Sequence, residues 1–170
     1  SLAVGEGGSV YTWGCNNNGQ LGLGDHGGGT QRNVPTEVPG VNGVVAVAAG
    51  SRHSLALSRD GTVMACGDNA NGQLGLGDTV QRDTFTVVAG LRGVVDIDAG
   101  YMHSIAVTAE GGLYTWGKGW AIGHGGDQDT QRLVPTKVTG GGIGEAVVVQ
   151  VAAGDEHSMS LTAAGQLYTW

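Results

Sequence analysis

The chain has 170 residues, of which 34 are glycine, 14% are charged and 40% are hydrophobic. Three prolines without a glycine register exclude collagen, and the hydrophobic content excludes a disordered chain. No apolar run approaches the roughly 20 residues of a membrane helix. A net charge of −7 with no cluster of Lys or Arg argues against direct nucleic-acid binding, which rests on a basic stripe facing phosphates. It fits protein partners instead, basic ones among them.

In chain order, Ser1-Leu2-Ala3-Val4 is followed by Tyr11-Thr12-Trp13-Gly14, and then by residues 14–30, which show no strand pattern. Gly and Asn crowd this loop and permit left-handed backbone. Four short strands come next: Thr36–Val38, Val44–Ala49, Ser54–Ser58 and Thr62–Cys66. Asp60-Gly61 between the last two predicts a tight hairpin, as Glu110-Gly111 does further on. No stretch combines an apolar 3.6-residue period with caps, so helix is expected to be nearly absent. The two cysteines, Cys15 and Cys66, with no glycosylation acceptor, fit a reducing intracellular compartment.

The same blocks then return. Gly50-Ser51-Arg52-His53-Ser54 recurs as Gly100-Tyr101-Met102-His103-Ser104 and as Gly154-Asp155-Glu156-His157-Ser158. Gln31-Arg32-Asn33-Val34-Pro35-Thr36 recurs at 81–86 and 131–136, and Gly19 to Asp25 returns intact as Gly72 to Asp78. Three repeats are read at 1–53, 54–103 and 104–157, with 158–170 beginning a fourth. Four antiparallel strands per repeat of about 50 residues is the sequence form of a propeller blade, so the fold class is all-β. Alanine-rich strands such as Val44–Ala49 would lie innermost, where blades crowd. Trp13, Trp116 and the leucines would fill the wider outer wedges. Cys66 stands where other copies have Trp, which predicts a looser contact at that blade. Because the 19–25 loop recurs, it is read as structural.

These blocks resemble the regulator of chromosome condensation repeat family. The match is carried by Gly-Gln-Leu-Gly-Leu-Gly-Asp, Pro-Thr-x-Val, Ala-Gly-x-x-His-Ser and Leu-Tyr-Thr-Trp-Gly, and covers essentially the whole chain. The resemblance implies a seven-bladed propeller, which needs roughly 360 residues. The chain begins and stops mid-strand, so about three blades of a longer propeller are expected, completed by further blades of the same chain.

Candidate sites are few. His53, His103 and His157 recur once per blade, too far apart around an axis to share a metal. A fixed histidine hydrogen-bonding between strands is the better expectation. His26 and His124 lack partners at zinc-ligand spacing. Gly22 to Gly27 satisfies G-x-G-x-x-G without a strand–turn–helix context, and the Gly/Asp loop at 123–129 lacks the period of a calcium β-roll. No nucleophile motif is present, so neither an enzyme, a cofactor nor a metal is expected.

The pair inside Gly-x-x-His differs between copies while its frame is constant, which is where specificity can live. A light-sensing member of the family carries Trp-Arg there on a face used for dimerisation. No Trp occupies the pair here, so photoreception is not expected, but the resemblance implies exposure on one face. Arg52, Tyr101, Met102, Asp155 and Glu156 are therefore the candidate partner-binding residues. Trp120 joins them as a candidate aromatic anchor, in a loop that departs from the other copies. The expected function is a non-catalytic scaffold for protein–protein interaction. The resemblance also leaves open a guanine-nucleotide exchange factor or regulator of a small GTPase, and a substrate-recruiting propeller in a larger protein such as a ubiquitin ligase. The compartment expected is cytoplasmic or nuclear, with cytoskeletal or ciliary placement open.

Overall fold

The computed structural model describes residues 1–125 and 130–170; part of the Gly/Asp loop at 123–129 therefore lies outside the described residues. Fourteen strands and two single 3-10 turns make up the described chain. β1 (Leu2–Val4), β2 (Val10–Gly14) and β3 (Arg32–Glu37) form one sheet. β4 (Val44–Ala49), β5 (His53–Ser58), β6 (Val63–Gly67) and β7 (Arg82–Val87) form a second. β8 (Val94–Ala99), β9 (His103–Thr108), β10 (Leu113–Lys118) and β11 (Gln131–Lys137) form a third, and β12 (Val148–Ala153), β13 (Ser158–Thr162) and β14 (Leu167–Thr169) a fourth. Every pairing is antiparallel between chain neighbours, as in consecutive blades.

The expected strand at 36–38 is corrected. It is the end of the longer β3, which closes the preceding sheet by pairing with β2. The four strands of a blade thus begin at Val44, not at Thr36, and the outermost strand comes last. β3 and its copies escaped notice because they sit at an outer edge, where Arg32, Asn33 and Pro35 meet no apolar alternation.

Local chemistry explains the hairpins. Gly61 takes φ +82°, a backbone that a side chain resists, and the Asp60 carboxylate accepts from the Thr62 amide at 3.0 Å. β5 and β9 are buried almost end to end because each lies mid-blade with a neighbouring sheet on both faces. β4 and β8 each carry a bulge at their second residue, which turns Val45 and Val95 outward.

The core lies between blades, not inside them. One cluster joins Leu55, Leu57 and Val63 of the second sheet to Val94, Ile97 and Trp116 of the third. Another joins Ile105, Val107 and Leu113 to Val148 and Val151. A third sets Val10 against Val44 and Ala56. Each sheet thus buries its apolar faces only by stacking on its neighbours.

Candidate interaction groove

The second and third seams are held by the same polar device. His53 Nε2 lies 2.9 Å from Ser104 Oγ on the next blade, and His103 Nε2 lies 3.0 Å from Ser158 Oγ. The serine hydroxyls donate onward, Ser104 to the Gln73 carbonyl at 2.8 Å and Ser158 to the Ala121 carbonyl at 2.8 Å. Each serine must then accept from its histidine, which places the imidazole proton on Nε2. His53 Nδ1 has no hydrogen-bond partner among the described residues. Burial holds His53 down to about 3 and His103 to about 4, and each also feels the next histidine along the ring. Hydrogen-bonding histidines were expected; the bond runs to the neighbouring blade.

The carbonyl at the centre of this device accepts twice. Gln73 O also takes the Trp116 indole N–H at 2.9 Å, and Ala121 O takes that of Trp170 at 2.7 Å. At the first seam, Gln20 O takes Ser54 Oγ at 2.7 Å, but Cys66 Sγ stands 3.6 Å away in place of an indole. The expected looseness there is corrected. A Cβ on Gly22 would fall 2.6 Å from the Phe85 ring, so Phe85 fills the room that an indole takes beside Gly75. Phe85 replaces the proline found at 35 and 135, and Cys66 is fully buried. That exchange of Trp and Pro for Cys and Phe was visible in the repeats.

The long loops are folded units, as expected. Asn16 and Asn69 are fully buried, and each donates from Nδ2 to the backbone and side chain of Asp25 or Asp78. Arg32 and Arg82 close the loops on the same carboxylates at 2.6 and 2.7 Å.

The third loop differs. Residues 118–124 replace the asparagine framework with a 3-10 turn at Trp120–Ile122, stapled by His124 Nε2 at 3.0 Å from Thr115 Oγ1. The residue before the accepting carbonyl is Gly19 or Gly72 in the earlier copies and Trp120 here. The wide indole cannot occupy a glycine's place against the next strand, and Trp120 stands 60% exposed.

A groove of about 360 Å³ opens beside it, lined by Tyr101, Met102, Lys118, Trp120, Asp155 and Glu156 among others. Its walls are pinned by backbone bonds. The Tyr101 amide donates to Asp155 O at 3.0 Å across the seam, and the Lys118 amide donates to Met102 O at 3.0 Å. Five of the six candidate residues therefore meet in one place. Arg52 does not; it holds the corresponding position one seam away, exposed, with its carbonyl accepting from Asp68. Sequence reasoning missed Lys118 and Ala121 as lining. Alignment of Ala121 with Gln20 and Gln73 was the available signal. Among the described residues, no group of three or more His, Cys, Asp or Glu is placed to hold a metal.

The regulator of chromosome condensation (RCC1) repeat model matches residues 7–57, 60–107 and 110–161. The chain belongs to the RCC1 repeat family. Over 176 residues it is 38% identical to the ultraviolet-B receptor UVR8 of Arabidopsis thaliana, covering 99% of this chain and 38% of that protein. It is 35% identical to the human E3 ubiquitin-protein ligase HERC2 over its full length, which is 4% of HERC2. Among solved structures, Prp20p of Saccharomyces cerevisiae, described with binding properties toward Gsp1p and histones, aligns with a TM-score of 0.84 and 27% identity. That alignment covers 94% of this chain and 40% of Prp20p. Human WBSCR16 gives the same score and identity over 99% of this chain and 44% of its own. The RCC1 arc thus spans less than half of each of these relatives. No helix among its described residues is long and apolar enough to cross a membrane.

Proposed function

We propose that this propeller arc is a non-catalytic docking scaffold whose partner is a protein, received at the Tyr101–Trp120–Glu156 groove. One observation carries the reading: a large aromatic left 60% exposed beside a groove whose walls are fixed across a blade seam. Rigid seams lower the ordering cost of binding, and exposed Trp and Tyr are the side chains that dominate interface energies. RCC1-type relatives described as binding proteins support it.

A photoreactive amino acid placed at Tyr101 tests this, with Arg92 on another groove as the control position. Discrete protein adducts at 101 that are absent at 92 are expected; identical adducts at both positions would dismiss the groove as a docking site. A second reading, regulation of a small GTPase, is favoured by the fold likeness to Prp20p. Release of a fluorescent guanine nucleotide from a panel of small GTPases addresses it, and unaccelerated release throughout would remove it.

A further inference from the structure

We infer that the groove recognises a cationic side chain, arginine or lysine, presented between apolar residues on an exposed segment of a partner protein. The inference rests on the docking reading above and adds what the groove selects. Two kinds of surface meet here. Tyr101, Met102 and Trp120 give the groove polarisable, partly exposed faces. Asp155 and Glu156 stand exposed on the adjoining blade and extend the rim, with Tyr101 and His157, into a second shallow depression. An aromatic face attracts a cation through its quadrupole, and a nearby carboxylate adds charge without requiring burial of either partner.

The other charges facing the groove do not reverse this preference. His103 lies in its wall but is held neutral by burial, to about 4. Lys118 also lines the groove and has an interaction of its own. The two carboxylates outnumber that single ammonium, and the whole chain carries −7. An acidic peptide would meet this field unfavourably. A purely apolar one would leave Asp155 and Glu156 facing nothing. A segment with one guanidinium or ammonium flanked by leucine-like residues satisfies both surfaces.

The equivalent seam at Arg52 sharpens the assignment. There the variable pair is Ser51-Arg52 facing Tyr101, and the loop residue corresponding to Trp120 is Gly72. That seam offers neither the indole nor a pair of acids, so it serves as an internal control on the same molecule.

The test uses fluorescein-labelled heptapeptides of sequence Gly-Leu-Ala-X-Ala-Leu-Gly, with X as arginine, lysine, citrulline, acetyl-lysine or glutamate, titrated into the full chain and followed by fluorescence polarisation. The arginine and lysine peptides are expected to bind about tenfold more tightly than citrulline and acetyl-lysine, and glutamate more weakly still. Combined Asp155→Asn and Glu156→Gln substitution should reduce that preference severalfold while leaving residual binding. Trp120→Ala should weaken all peptides, the cationic ones most, and Arg52→Ala should change nothing. Because these side chains are exposed, melting temperatures of the variants should match the parent, which separates lost recognition from lost folding. Equal affinity for arginine and citrulline, or a preference undiminished by the double substitution, would overturn the inference. Adducts at Tyr101 without any cation preference would leave the docking reading standing and this one refuted. A cation preference with no protein adducts at 101 would overturn the partner protein as occupant, and with it both readings, leaving only a cation-selective groove.

Discussion

His53 and His103 are the residues whose chemistry is most altered by folding. Each is fully buried, neutral and committed to a serine on the next blade. In the unfolded chain their pKa returns to about 6.5, so below that pH the unfolded state binds protons that the folded state refuses. Their contribution to stability is therefore flat above pH 7 and falls as pH drops from 6.5 toward 4. The slope approaches about 1.4 kcal/mol per pH unit for each histidine. Denaturant titrations at pH 7.5, 6, 5 and 4 should show this decline, and His103→Gln should flatten it even while lowering the plateau. An unchanged pH profile in that variant would contradict the assignment. A proton added to His53 must go to Nδ1, where no acceptor among the described residues awaits it.

The elements solve one packing problem in two ways. At the second and third seams an indole reaches across to a loop carbonyl; at the first, Cys66 and Phe85 share that volume. Cys66→Trp alone should therefore overpack the wedge and cost about 1 to 3 kcal/mol. Adding Phe85→Pro should recover most of that loss, since β7 is an outer edge strand and its copies carry Pro35 and Pro135 there. A thermal-melt double-mutant cycle reads the coupling, and additive losses would refute the exchange. The loops make a parallel case. Removing the Asn69 side chain strands the Leu74 amide, which donates to its Oδ1 at 3.0 Å in a buried setting. Asn69→Ala should cost about 2 to 3 kcal/mol in chemical denaturation. The third loop dispenses with this framework, and is where Trp120 comes to the surface.

At the scale of the whole molecule, the blades are joined by side chains where strand hydrogen bonding does not reach. Asp96 and Asp98 of β8 accept from the Val151 and Ala153 amides of β12 at 3.0 and 2.7 Å. The second blade has Ala46 and Ala48 at those positions, so its inner strand makes no such link. Replacing both aspartates by alanine should speed hydrogen exchange at Val151 and Ala153 by tenfold or more, and leave the amides of β5 unchanged. Equal acceleration in β5 would point to global destabilisation instead. At this seam the interblade cluster and the two aspartate bridges act together, and they hold the blades that present the groove.

The repeat period, the hairpins at Gly61 and Gly111, the structural asparagine loops and the variable pair before each histidine could all be read from residues alone, because each is a local demand repeated at fixed spacing. The edge strands could not be, since Arg32, Asn33 and Pro35 carry no apolar signature. Nor could the role of Phe85, which depends on a glycine 63 residues earlier being too close for a side chain. Repeats alone named the candidate binding residues, but not that Tyr101, Met102, Trp120, Asp155 and Glu156 share one groove while Arg52 stands apart. Those positions come from two blades and a connecting loop. Only the stacking of one sheet on the next, driven by apolar burial and fixed by the His–Ser bonds, brings them together.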